Sequence, residues 1–323
     1  MKSQLRWGFV GPAGARRDQF HETVRRSESG ASAPSVHPNI TPLSQSDVDA
    51  IYLSVPFDER AILVERALEH GKPVLSEGPI TADPAVANRI RDLSILNAVP
   101  VAETAEYQFH PQHEFVLELL RDGGIGEVRE IHAQVSAPLL AGSDDDFDPE
   151  RHDPWVAGNT VLGSLRSLVA SEPVDAVGWC EDGSESDAES NFSGLLRFPR
   201  GITASLAWSV RPGYGAGYVV LGTEGTIEAP HAFLPVTSDY GCQRVVIQTD
   251  SSGRRRENYF DRFDTSVRMI DAFADALERP RQLPGGLDDI VANATTLNLV
   301  RAAVRRTAPT RQGGRQWNLS RLA

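Results

Sequence analysis

Leu5-Arg6-Trp7-Gly8-Phe9-Val10-Gly11-Pro12-Ala13-Gly14-Ala15-Arg16 decides how the chain begins. Leu5 to Gly11 reads as a buried parallel strand, and Gly11 to Arg16 sits where a dinucleotide-binding turn carries GxGxxG ahead of a helix. Only Gly11 fits that pattern cleanly. Ala13 puts a methyl group where backbone N–H groups must approach a pyrophosphate, and Arg16 replaces the glycine used for close helix packing.

A dinucleotide site also needs an acidic residue about 20 residues further on, at the end of a second strand. Arg25 to Ser35 holds no alternating or β-branched run and reads as loop, with Glu28 as a solvated loop residue or a ribose ligand. The next clear strand, Val48 to Val55, starts so soon that a second strand and its crossover helix are expected not to fit, because such a unit takes roughly 30 residues.

Beyond that point the chain alternates. Helix Asp58 to Gly71, strand Pro73 to Ser76, helix Pro84 to Asn97 and strand Val99 to Ala102 argue a parallel sheet with right-handed crossovers. After Tyr107 the rhythm changes. Helix Pro111 to Asp122 leads into strands near Val128 to Ser136, Val174 to Trp179, Phe192 to Phe198, Ile202 to Val210, Tyr218 to Gly222 and Arg244 to Thr249. Pro199-Arg200-Gly201 is a hairpin turn, so this half is mainly antiparallel, and helices Thr265 to Glu278 and Asp288 to Arg306 finish the chain. The fold class expected is α/β: a truncated dinucleotide-type parallel-sheet domain over 1–105, then an α+β domain with a large open, mainly antiparallel sheet over 106–323.

Composition sets the outer bounds. The 323 residues suffice for two cores, and a net charge of −12 argues against a nucleic-acid partner. There is no apolar run of membrane length and no basic-then-apolar leader, so a soluble cytoplasmic protein is expected. Cys180 and Cys242 give no disulfide framework and no metal spacing. The acidic loops Ser143 to Asp153 and Glu181 to Glu189 read as solvated surface, since Asp144-Asp145-Asp146-Phe147-Asp148 lacks the glycine and closing glutamate of a calcium loop. No metal site is expected.

Val48-Asp49-Ala50-Ile51-Tyr52, Ala67 to Pro79, Tyr107-Gln108-Phe109-His110-Pro111, Gly123 to Val128 and Gly222-Thr223-Glu224-Gly225-Thr226-Ile227, in that order, resemble the Gfo/Idh/MocA family of sugar and polyol oxidoreductases. The resemblance implies a Rossmann domain, a larger α/β domain whose open sheet makes an oligomer face, and hydride transfer between NAD(P) and a sugar-like alcohol. It also implies three working motifs, and here each is altered. Glu-Lys-Pro reads Glu77-Gly78-Pro79, without the lysine that reaches nicotinamide and substrate. The proline-asparagine motif reads Pro56-Phe57-Asp58-Glu59-Arg60. The helix that should carry an aspartate and a proton-exchanging histidine reads Ala157 to Pro173, with no Asp, His, Lys or Tyr in it. The other lysines, Lys2 and Lys72, lie at the terminus and at the wrong end of the sheet.

Hydride transfer from an alcohol needs a base, and an arginine such as Arg166 cannot serve as one. From these changes the expectation is a family fold that has lost dehydrogenase activity. It would act as a cofactor-independent enzyme on a sugar-like or biosynthetic intermediate, or as a non-catalytic partner of an active paralogue through the second-domain sheet, in a homo- or hetero-oligomer. No cofactor is expected on this reading, and Gly11, Ala13, Gly14, Pro56 and Glu77 are a vestigial cofactor site. The alternative is an active NAD(P)-dependent oxidoreductase of a sugar or polyol with a reshaped cofactor site, in which Arg16, Arg17, Arg25 and Arg26 hold a 2′-phosphate or else form a solvated helix face.

Glu77, Glu103 and Tyr107 are the candidate catalytic residues. The two glutamates form an acid/base pair if burial raises one pKa, or are merely solvated or backbone-bonded at strand ends. Tyr107 is a proton donor or a packed aromatic. Glu106, Gln108 and Arg166 approach the same region by motif position. His110 and His113 lack a third ligand for zinc. Trp155, Trp208, Tyr214 and Tyr218 line a sugar wall or pack in a core.

Overall fold

Strand β1 (Trp7–Val10) is buried along its whole length, as a parallel strand covered on both faces must be. A computed structural model of the chain describes residues 4–12, 14–30, 35–37, 47–136, 154–181, 191–209, 215–233, 244–279 and 281–307. The first sheet runs β2-β1-β3-β4-β5, all parallel, with β2 (Ser35–His37), β3 (Ala50–Leu53), β4 (Val74–Ser76) and β5 (Val101–Glu103). Helices α1 (Ala15–Arg26), α2 (Phe57–Glu69) and α3 (Pro84–Asn97) are its crossovers.

The expectation that a second strand does not fit is corrected here. β2 pairs parallel with β1, Gly8 opposite Ser35 and Val10 opposite His37. Trp7 to His37 already spans the roughly 30 residues such a unit needs. A three-residue strand carries too little alternation to be read from side chains, and its partner supplies the pairing instead.

A 3₁₀ turn (Glu106–Phe109) and helix α4 (Pro111–Arg121) lead to the second sheet. Its order is β13-β12-β11-β10-β6-β9-β8-β7-β14, antiparallel except at β6–β9 and β7–β14. The strands are β6 (Val128–Ser136), β7 (Asp175–Glu181), β8 (Asn191–Arg197), β9 (Thr203–Ser209), β10 (Ala216–Gly222), β11 (Gly225–Ala229), β12 (Arg244–Asp250), β13 (Arg255–Phe260) and β14 (Val304–Thr307). Helix α5 (Pro154–Val169) lies on one face, with Val161, Leu162, Leu165 and Leu168 against Ile131, Ala133, Ala204, Leu206 and Trp208. The acidic run at Asp144 and residue Cys242 lie outside the described residues.

The last two helices return to the first sheet. Met269, Ile270 and Phe273 of α6 (Thr265–Glu278) share a core with Trp7, Phe9 and Phe20, while Ile290 and Ala294 of α7 (Leu287–Ala303) pack with Val10, Leu53 and Ile90. The first sheet therefore has α1 and α6 on one face and α2, α3 and α7 on the other.

β1 ends in close contact with the chain after β3. A Cβ added at Gly11 would lie 2.1 Å from the Ser54 carbonyl oxygen, so any larger residue must force the two strands apart at their carboxyl ends. Gly11→Ala is expected to cost about 2 kcal/mol or more, read as a lowered midpoint in thermal unfolding followed by circular dichroism.

Candidate active site

Ligands of open parallel sheets bind outside the carboxyl ends of the strands, and four candidate residues meet at that edge here. Gly11 follows β1, Ser54 follows β3, and Glu77 follows β4. Gly14 caps α1 with no side-chain hydrogen bond, and a Cβ there would meet nothing within 4 Å. Gly14 opens a 12-residue helix, and a helix N-terminus with no side-chain cap is a place that suits a phosphate. Pro56 is the N-cap of α2, also without a side-chain cap. Ala13 lies outside the described residues.

Glu77 is nearly buried and strongly held. Its Oε1 accepts from Arg16 Nη1 at 2.5 Å and from Ser54 Oγ at 2.9 Å, and Arg60 Nη2 lies 3.8 Å from Oε2. Arg60 is itself fixed, donating to the carbonyls of Val55 and Pro79 at 3.0 Å each. The arginines read as a 2′-phosphate cluster or else as a solvated helix face do not converge: Arg17 pairs with Asp18, Arg25 with Glu22, and Arg26 with Glu22 and Asp264, on the outer side of α1. Glu28 is exposed in the loop before β2, away from the strand end where a ribose ligand would stand.

Glu103 faces different partners. Its carboxylate accepts from the Ile80 backbone N–H at 2.7 Å, from Asn293 Nδ2 at 2.9 Å and from Asn159 Nδ2 at 3.3 Å. It is 1% exposed, and burial pushes its pKa up against the pull of those donors. Glu77 and Glu103 thus share no hydrogen-bond partner. Gly78, where the lysine would stand, is hemmed in: its Cβ would lie 2.7 Å from Asn159 Nδ2 and 3.2 Å from Glu103. Of the remaining lysines only Lys72 is described, and its ammonium donates to the Val48 carbonyl at the opposite end of the sheet.

Tyr107 is buried, and its hydroxyl accepts from Gln108 Nε2 at 3.1 Å. A Cβ on Gly163 of α5 would come within 3.0 Å of that hydroxyl, so the glycine makes room for it. Burial pushes the Tyr107 pKa well up. The ring stands edge-on to His113 and Phe233, and Phe233 in turn meets Tyr218 on β10. Glu106 has its pKa raised by burial and accepts from Ser266 Oγ at 3.0 Å. Buried Arg244 has its pKa lowered to about 10, mainly by desolvation.

Arg166 does not reach toward substrate. It donates to Asn293 Oδ1 at 2.5 Å and forks onto Glu172 at 2.6 and 2.9 Å. His110 Nδ1 caps α4 by accepting from Gln112 N, and His113 Nε2 meets Ser167 Oγ at 3.0 Å, so both are used in packing. No group of three metal-ligating side chains occurs among the described residues. Trp208 stacks on Phe192 at 4.2 Å within the core. The Trp155 side chain and Tyr214 lie outside the described residues.

Three comparisons bear on the site. Residues 113–228 match the GFO/IDH/MocA C-terminal domain. The chain is 29% identical over 254 residues to dTDP-3,4-didehydro-2,6-dideoxy-alpha-D-glucose 3-reductase of Streptomyces violaceoruber, covering 75% of this chain and 71% of that protein. It is 28% identical over 271 residues to D-xylose 1-dehydrogenase (NADP(+)) 2 of Haloferax volcanii, covering 82% and 80%. A 3-ketoreductase from Actinomadura kijaniata, solved with NADP and TDP-benzene, superposes with a TM-score of 0.81 at 23% identity over 95% of this chain and all of the other, a likeness of fold.

These relatives correct two expectations. Loss of dehydrogenase activity and absence of a cofactor were inferred from altered motifs, yet the relatives are a reductase and a dehydrogenase, and the structure that superposes on this one holds NADP. Physically, the inference took a methyl at Ala13 and a missing β2 as loss of room. β2 is present, and a Cβ built on Gly14 would meet nothing within 4 Å.

The buried imidazoles give the site a pH signature. Burial lowers the pKa of His113 to about 4 and that of His110 to about 3. Both folded values are depressed, so the stability they contribute is complete above the unfolded value of about 6.5 and is lost as pH falls toward 4 and below. His113→Gln is expected to flatten the fall in melting temperature between pH 6.5 and 4, measured as a series of thermal scans.

Proposed function

We propose that this chain, whose residues 113–228 match the GFO/IDH/MocA C-terminal domain, is an NADP-dependent oxidoreductase acting on a carbonyl or alcohol of a sugar. The observation that carries this reading is the extent of the likeness to dTDP-sugar 3-reductase, across 75% of the chain, set on a parallel sheet whose carboxyl edge fits a dinucleotide. The substrate favoured by that relative is a nucleotide-linked keto sugar.

The cofactor supplies or accepts hydride when bound. The chain's own residues do the rest. The turn at Gly11 and Gly14 with the start of α1 receives the diphosphate, and Pro56 and Glu77 border the crevice toward the second sheet. Glycine at 78 removes the ammonium that would polarise a substrate oxygen, which leaves the Tyr107 hydroxyl to move the proton. Its raised pKa keeps it protonated at neutral pH, the state in which it can donate to a developing alkoxide. Glu103, closed in by three donors, positions the loop at Gly78 rather than touching substrate. The open sheet is proposed as an oligomer face.

Incubating the protein with NADPH and a dTDP-linked keto sugar, and following loss of reduced-cofactor absorbance, tests the activity. Turnover is expected, and its absence with keto sugars, aldoses and inositols alike would overturn the proposal. Tyr107→Phe is expected to lower kcat by a factor of about 10²–10⁴ while leaving NADPH binding unchanged. Because the tyrosine pKa is raised, no alkaline fall in kcat from its ionisation is expected up to pH about 10.

A further inference from the structure

α1 carries Arg16 in its first turn, where the partial positive charge of a helix N-terminus disfavours a cation. Asp18 of the same turn is taken by Arg17, and Arg16 is paired with Glu77, at the end of β4. The bridge therefore crosses the carboxyl edge of the sheet above Ser54, over the ground that a dinucleotide occupies in a Rossmann crevice.

The partners of Glu77 are not equivalent. Ser54 Oγ is buried, and Arg60, with a side chain 3% exposed, is fixed to two carbonyls. The Arg16 side chain is 51% exposed and starts two residues after Gly14, whose Cβ position faces open space. Arg16 can leave without abandoning a bare carboxylate, because Ser54 and Arg60 remain. A guanidinium pairs with phosphate by the same fork geometry it uses for carboxylate, and a diphosphate offers two charges against one.

Resting on the NADP reading above, we infer that Arg16 is a pyrophosphate-binding residue and that Glu77 competes with the cofactor for it. Cofactor binding exchanges one ion pair for another. The affinity is thereby set by a residue pair that spans the sheet edge, and not by the glycine turn alone.

A calorimetric double-mutant cycle tests this on the full chain. NADPH and NADH are titrated into the wild type, Arg16→Ala, Glu77→Gln and the double variant, each first checked for folding by circular dichroism. Arg16→Ala is expected to weaken both cofactors by the same factor, about tenfold. Glu77→Gln is expected to tighten both severalfold, and that gain is expected to shrink in the Arg16→Ala background.

Four outcomes would overturn the inference. They are unchanged affinities, tighter binding by Arg16→Ala, additive effects in the cycle, and weakening of NADPH alone, which would assign Arg16 to the 2′-phosphate. If Glu77→Gln does not fold, Arg16→Lys decides in its place. Affinity between those of wild type and Arg16→Ala supports the fork pairing, and affinity equal to wild type sinks it. Failure of the wild type to bind either cofactor is a different result: it overturns the NADP reading and this inference with it.

Discussion

A carboxylate buried away from water must have its oxygens filled by donors, and in this chain that requirement falls on Glu103. Its donors come from three places: Ile80 in the loop after β4, Asn159 on α5 and Asn293 on α7. Its own N–H donates to the Gly285 carbonyl ahead of α7 at 2.7 Å. One side chain thus joins the end of the parallel sheet to the helix that covers the second sheet and to the helix that returns from the C-terminal end. Asn293 passes the connection on through its Oδ1 to Arg166, which ends on Glu172 near the surface. Removing Glu103 would leave the Ile80 N–H and the Asn159 and Asn293 amides without this acceptor.

That same network accounts for the most conspicuous change in the site. With the Asn159 and Glu103 side chains closed over residue 78, any side chain there would have to move the Asn159 amide, and glycine suits the packing as it stands. A lysine at that point would have to displace Asn159 and bring its ammonium against a carboxylate already saturated by neutral donors. The change at residue 78 thus sits on the side of the sheet end that faces α5 and α7, while Glu77 next to it turns to Arg16 and Ser54.

Much of the architecture was legible because it is written in periodicity. α2, α3 and α4, and the long strands β6, β8 and β9, carry apolar spacing that survives without neighbours. β2 and β13 do not: one has three residues, and the other, Arg255-Arg256-Glu257-Asn258-Tyr259-Phe260, is a charged edge strand held by pairing with β12. α5 holds Gly158, Thr160, Gly163 and Ser164, weak helix formers individually, and is stabilised by burying Ala157, Val161, Leu162, Leu165 and Leu168 with the second sheet and Asn159 and Arg166 toward Glu103 and α7. In the site, Glu77, Glu103 and Tyr107 were identifiable by motif position. Their partners were not. Arg16, Asn159 and Asn293 stand 61, 56 and 190 residues from the groups they bind, and no local signal joins them.

α6 and α7 stand far along the chain from the first sheet and yet help to close both of its faces. Trp7 and Phe9 have only part of their cover from α1 and take the rest from Met269, Ile270 and Phe273, so the first core is complete only when a segment more than 200 residues distant has docked. A cut after β5 would therefore take away residues of both cores of the first sheet, Phe273 from one and Ile290 from the other.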